Sequence, residues 1–208
     1  MLFLDSALLD DAERAGRAGW VTGITTNPSL MAATGREWHD QLPLLLAAFE
    51  SGPVFVQPPD AADAETAVRR ALSLAPSRVV AKLPAQARLF DLGARLAGEG
   101  ISVAFTAVYT AAQAVVAACA GAEWVIPYVD RAERLRPGGD VVTEMRAALD
   151  ALGAPTRLLA ASIKSPDQAV QAFRDGAHAV SAPLDVLIAM THDPLTDEAA
   201  AEFRRAAR

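Results

Sequence analysis

The sequence predicts a single-domain α/β fold, a closed (β/α)8 TIM barrel with an additional C-terminal helix, over residues 1–208. Three observations predict it. Eight short apolar runs recur along the chain, at 2–5, 21–26, 53–57, 78–83, 101–105, 123–128, 156–162 and 178–183, each followed by a segment of helical character. The runs lack polar alternation, as expected of parallel strands covered by helices. Their starts are 19 to 33 residues apart, room for one strand, loop and helix each time. The main alternative is an open doubly wound sheet. No G-x-G-x-x-G follows the first run, so a dinucleotide site is unsupported.

The helical segments carry their own grammar. Residues 60–74 are Ala-rich and place Glu65 four residues before Arg69, a favourable pair on one helix face. In 140–152, Val142, Met145, Leu149 and Leu152 fall near helical spacing. Gly98, Gly100, Gly121 and Gly153 follow helical stretches and read as left-handed helix ends. The final segment, 196–208, opens with Asp197 and Glu198 and closes with Arg204, Arg205 and Arg208, which complements a helix dipole.

Composition bounds the function. Apolar residues make up 52% of the chain, enough for a packed core. With 19 basic and 25 acidic side chains the formal charge is −6 and no basic cluster occurs, which argues against nucleic acid or an anionic membrane as partner. A local cationic site for a small anion remains compatible with that balance. One cysteine, Cys119, forms no intrachain disulfide; it is expected to be buried in an Ala-rich helix and fits a reducing compartment. The N-terminal residues lack the pattern of a signal peptide, no run spans a bilayer, and a cytoplasmic location is expected. His39, His178 and His192 show no metal-ligand spacing, so no metal is expected.

In a barrel, chemistry gathers at the C-terminal strand ends. Those ends carry Asp5, Thr26 with Asn27, Gln57, Lys82, Thr106, Tyr128 and Ser162. Lys82 shares a strand face with Val80, while Val79, Ala81 and Leu83 share the other. If that face is inward, desolvation lowers the amine's pKa and a neutral amine attacks a carbonyl to form an imine. The competing reading is a lysine that snorkels to solvent. Asp5 reads either as a proton-exchanging carboxylate or as the N-cap of a helix beginning near Ser6. Asn27, before Pro28, reads as a helix start or as a ligand of a substrate hydroxyl. Tyr128 is a proton relay or a wall residue, and Gln57 a water-positioning amide or a rim hydrogen bond. Arg131, and Ser162 with Lys164, follow strands six and seven, where barrels often bind phosphate.

Taken together, LFLDSA (2–7), GITTNPSL (23–30), VVAKLP (79–84), TAVYTAAQ (106–113), AGAEWVIPYVDR (120–131), LAASIKSP (159–166) and, more loosely, APLDV (182–186) resemble the transaldolase family, and its fructose-6-phosphate aldolase group most closely. The resemblance implies a class I aldolase with Lys82 as the Schiff-base residue, Asp5 as acid/base partner and Asn27 on the covalent intermediate. It implies a sugar-phosphate substrate with Arg131 and Ser162 at the phosphate end, and no cofactor. It also implies a homo-oligomer, a ring pentamer or decamer, with the C-terminal helix reaching a neighbouring subunit. Gln57 and Tyr128 stand where transaldolases proper carry Glu and Phe. A Gln57, Thr106 and Tyr128 set would hold a water and use the phenol as proton carrier, so the expected reaction is aldol cleavage, with dihydroxyacetone transfer as the alternative. A non-catalytic sugar-phosphate-binding barrel is the third reading. Ser6 replaces the family's Thr, AQARLF (85–90) replaces its usual loop, and Pro58–Pro59 follows Gln57.

Overall fold

The computed structural model describes residues 1–207. In chain order its elements are β1 (Leu2–Asp5), α1 (Leu9–Ala18), β2 (Val21–Thr25), α2 (Pro28–Ala33), α3 (Trp38–Ala48), β3 (Val54–Val56), α4 (Ala64–Leu74), β4 (Val79–Pro84), α5 (Ala87–Gly98) and β5 (Val103–Val108). There follow α6 (Ala111–Cys119), β6 (Trp124–Pro127), α7 (Val129–Leu135), α8 (Val141–Leu152), β7 (Arg157–Ala160), α9 (Pro166–Arg174), β8 (Ala179–Ala182), α10 (Leu184–Ala189) and α11 (Pro194–Ala206). All eight strands are parallel and hydrogen-bonded in sequence order, and β8 closes on β1. The structure is therefore a closed (β/α)8 barrel. The two widest strand spacings are explained by second helices, α3 before β3 and α8 before β7.

Strand alternation divides the core in two. Leu4, Ile24, Val54, Val79, Ala81, Leu83 and Val125 face the helices. Phe3, Phe55, Val80, Ala104, Trp124 and Leu159 fill the barrel interior. Phe3, Phe55 and Trp124 meet edge to face with centroids 5.5 to 6.0 Å apart, each pair worth about 1 kcal/mol beyond the area it buries. Gly23 makes this possible, since a Cβ there would lie 2.5 Å from the Pro53 carbonyl oxygen and 2.8 Å from the Phe3 ring. Arg78 donates to the carbonyls of Gly52, Leu46 and Phe49, satisfying carbonyls at and just beyond the C-terminal end of α3.

Several element boundaries differ from the sequence pattern. Strand five runs 103–108 rather than 101–105, because Ile101 N–H bonds back to Leu96 and Gly100 adopts φ +82°, closing α5 first. Gly100, Gly121 and Gly153 are left-handed as expected, whereas Gly98 is the last residue of α5 and is not. The helix predicted from 60 starts at Ala64, since Asp60 Oδ1 accepts from Ala62 N–H in a turn. The Glu65–Arg69 pair forms at 2.8 Å and extends to Glu99 and Arg95, all on the surface. In α8, Val142, Met145 and Leu149 are buried, but Leu152 is exposed and Val141 takes part in its place. Cys119 is exposed, not buried: the face of α6 that meets the core carries Ala114 and Ala117, and Cys119 falls outside that stripe. The C-terminal helix begins at Pro194, capped by Asp193; Arg208 lies outside the described residues. None of the helices is long and apolar enough to cross a membrane, and no cluster of metal-ligating side chains occurs among the described residues.

Candidate active site

A cavity of about 750 Å³ opens at the C-terminal ends of the strands. Its polar wall comes from six different strand ends: Asp5, Asn27, Gln57, Lys82, Tyr128 and Ser162, with Arg131 in α7 and Lys164 in the loop before α9.

Lys82 lies on the inward face of β4 with Val80, as period-2 alternation requires, and is only 2% exposed. Its Nζ donates to the Thr26 carbonyl at 2.7 Å. Desolvation pushes its pKa down to about 8, opposed by attraction to Asp5. The neutral fraction near neutral pH is thus far larger than that of an ordinary lysine, which is what attack on a carbonyl needs.

Asp5 does not cap a helix. Helix α1 starts only at Leu9, and the local turn is made by Ser6, whose Oγ accepts from Leu8 N–H at 3.1 Å and donates to Asp11 at 2.7 Å. The inward carboxylate of Asp5 instead accepts from Thr25 Oγ1 at 2.8 Å. Asn27 is a helix start, and it also lines the cavity. Its Oδ1 caps α2 by accepting from Leu30 N–H at 3.0 Å. Thr26 is not on that wall: its hydroxyl turns outward and donates to the Phe55 carbonyl at 2.8 Å, so its contribution to the site is the backbone oxygen that holds Lys82.

Thr106, fully buried on β5, donates to the Tyr128 hydroxyl at 3.4 Å, a long bond. The alignment depends on a bulge at Ala107, which has φ +54° and shifts the β5–β6 register between Thr106 and Val108. The bulge returns Val108 to the outer core while Thr106 stays inward. Tyr128 has its pKa raised by burial first, with the Thr106 hydrogen bond pulling the other way, so the phenol is protonated at neutral pH. The Arg131 guanidinium sits 5.2 Å from its ring centroid. Gln57 follows β3, where Pro58 and Pro59 supply no N–H to continue the ladder, and its Oε1 is buried with no hydrogen-bond partner among the described residues. Ser162 faces the cavity from a left-handed backbone, φ +62°, conformational strain of about 1–2 kcal/mol stored at the rim. The substituted segment 85–90 folds into the start of α5 and does not line the cavity.

Two interior residues escaped the sequence reading, Thr25 and Ser181. Alternation in VTGITT, applied as it was to Lys82, places Thr25 inward and Thr26 outward. The signal was present for Thr25; Ser181 had none, since its partner lies 156 residues away.

A closed barrel with a buried lysine, a carboxylate and a protonated phenol on one cavity defines a (β/α)8-barrel enzyme. The chain belongs to the transaldolase/fructose-6-phosphate aldolase family, whose model matches residues 2–208. It is similar to a protein of Heliobacterium modesticaldum named "Probable transaldolase", with 38% identity over 198 residues, covering 94% of this chain and 91% of that one.

Proposed function

We propose that the protein is a class I aldolase that cleaves fructose 6-phosphate, or a similar ketose phosphate, through an imine on Lys82. The observation that carries the reading is the pairing of a desolvated Lys82 amine with the protonated Tyr128 phenol on the same cavity. Lys82 Nζ attacks the ketone carbon, and loss of water leaves an iminium. The C3–C4 bond then breaks with its electrons passing to the iminium nitrogen, while the C4 hydroxyl proton goes to Asp5 and the aldehyde phosphate departs. The remaining three-carbon enamine takes a proton on carbon from Tyr128, directly or through a water held by Gln57 and Thr106. Hydrolysis of the new iminium releases dihydroxyacetone and returns free Lys82. Arg131, Lys164 and Ser162 form the phosphate end, and Asn27 donates its amide to a substrate hydroxyl. No cofactor enters these steps.

Transfer of the dihydroxyacetone unit to a second aldehyde is the second reading, favoured by the name of the Heliobacterium relative. The two differ in the fate of the enamine. An amide at Gln57 and a phenol at Tyr128 support protonation and release, since neither residue is a carboxylate that would manage a second aldol addition. Fructose 6-phosphate is supplied with and without erythrose 4-phosphate; release of glyceraldehyde 3-phosphate without acceptor is expected, and strict dependence on the acceptor would establish the transferase. Reduction by borohydride with dihydroxyacetone present is expected to leave a three-carbon adduct on Lys82.

Helix α11 belongs to the assembly in this reading. It has no buried residue, and Leu195 and Phe203 are 73% and 74% exposed. It packs on a neighbouring copy in a ring, so removal of residues 194–208 is expected to lower the mass seen by light scattering.

A further inference from the structure

A chain of three oxygen atoms runs through the interior of the barrel. Ser181 Oγ lies 2.6 Å from Thr25 Oγ1, and Thr25 Oγ1 donates to Asp5 Oδ1 at 2.8 Å. The three residues come from β8, β2 and β1, with β1 the strand between the other two. Ser181 is fully buried and Thr25 is 2% exposed, and neither lines the cavity. Hydroxyls buried so deeply are unfavourable unless each hydrogen bond is made.

Proton counting fixes the direction of this chain. A hydroxyl has one proton to give, and Asp5 takes part as the acceptor. The Thr25 proton therefore goes to Asp5, and the contact between Thr25 and Ser181 must be carried by the Ser181 proton. The order is Ser181 to Thr25 to Asp5 Oδ1, each donor polarising the next. Asp5 Oδ1 is thereby occupied. Oδ2 accepts no hydrogen bond from the protein among the described residues, and Asp5 lines the cavity beside Lys82.

We propose that Ser181 is a positioning residue for the reaction: its hydroxyl holds Thr25 as a donor to Oδ1 of Asp5, which leaves Oδ2 as the oxygen that exchanges protons with substrate. This rests on the imine reading above. In the cleavage step the substrate C4 hydroxyl gives its proton to Oδ2 as the C3–C4 bond breaks and its electron pair moves to the iminium nitrogen. Oδ1 keeps the Thr25 hydrogen bond throughout. Without the Ser181 proton, the Thr25 rotor loses the partner that orients it and donates less strongly. The carboxylate then accepts the proton in a less defined geometry, while substrate contacts at the cavity wall are untouched.

The test uses the full-length protein with Ser181→Ala and Ser181→Thr, the second keeping the hydroxyl. Steady-state cleavage of fructose 6-phosphate is read in H2O and D2O, with melting temperature recorded for each variant. Ser181→Ala is expected to lower kcat about tenfold with KM within about twofold, and to raise the solvent isotope effect on kcat, because one oriented hydrogen bond to a charged group is lost at the proton-transfer step. Ser181→Thr is expected to recover most of kcat. A kcat in Ser181→Ala within about twofold of the parent overturns the proposal, as does a loss with unchanged isotope effect, which marks a packing role. If Ser181→Thr fails to fold, Ser181→Ala alone decides by the isotope effect. Failure of the underlying reading looks different: the parent protein itself then gives no borohydride-trapped adduct on Lys82.

Discussion

Replacing Lys82 by Met should destroy activity and stabilise the protein at neutral pH, with a gain that fades as pH rises. Met has a similar length and no charge, so it fills the space between Val80 and the Thr26 carbonyl without a desolvation penalty. The folded protein holds the Lys82 pKa at about 8 against an ordinary 10.5. That difference amounts to about 3 kcal/mol of unfavourable folding free energy at pH 7, where both folded and unfolded chains carry the proton. The hydrogen bond from Nζ to Thr26 offsets about 2 kcal/mol of it, so the net gain expected for Lys82→Met at pH 7 is about 1 kcal/mol. The sign of the pH dependence follows from the depressed pKa. Between pH 8 and 10.5 the unfolded chain binds the proton and the folded chain releases it, so the parent gains stability with rising pH and the variant does not. From pH 7 to pH 9.5 the advantage of the variant should fall by about 2 kcal/mol. Urea unfolding followed by tryptophan fluorescence at pH 7, 8.5 and 9.5 measures this as a difference between the two proteins, which cancels every other titrating group. A difference constant across that range would refute the argument that Lys82 is held desolvated, as would a variant clearly less stable at pH 7.

Two further outcomes are expected. The kcat/KM for ketose cleavage should climb with pH through a midpoint near 8 as the Lys82 amine loses its proton, level off above it, then decline above the ordinary phenol range as Tyr128 ionises; Tyr128→Phe should be far less active and lack the alkaline decline, and a profile flat from pH 6 to 9 would count against the amine. Gly23→Ala should destabilise the barrel by about 2 kcal/mol or more, since its Cβ has 2.5 Å to the Pro53 oxygen and 2.8 Å to the Phe3 ring; an unchanged urea midpoint would show that strands β2 and β3 separate freely there.

The eight strands were readable because each is buried on both sides, which forces an apolar run such as VVAKL or ISVAF wherever a strand occurs. Lys82 was readable for the same reason in reverse: a single charge inside such a run has only one face to occupy, and alternation names it. Boundaries were less legible where a helix end took residues that the hydrophobic pattern offered to the next strand, as at Ile101. Asp5 and Cys119 were misread or left open because capping and burial depend on where a helix starts and which stripe it turns inward, and Ala-rich sequence marks neither sharply.

By itself the sequence determined the repeating strand-and-helix order, the inward face of β4, and the grouping of Asp5, Asn27, Gln57, Lys82, Thr106, Tyr128 and Ser162 at strand ends. Those features are local, set by a period of two and by the segment that follows each run. Only the tertiary structure decided that β8 closes on β1, that the Ala107 bulge returns Val108 to the outer core beyond an inward Thr106, that Thr26 serves through its carbonyl, and that Ser181 reaches Asp5 through Thr25. Hydrogen bonds and desolvation belong to groups that closure brings together from distant parts of the chain, and no local pattern encodes a contact between residues 156 positions apart.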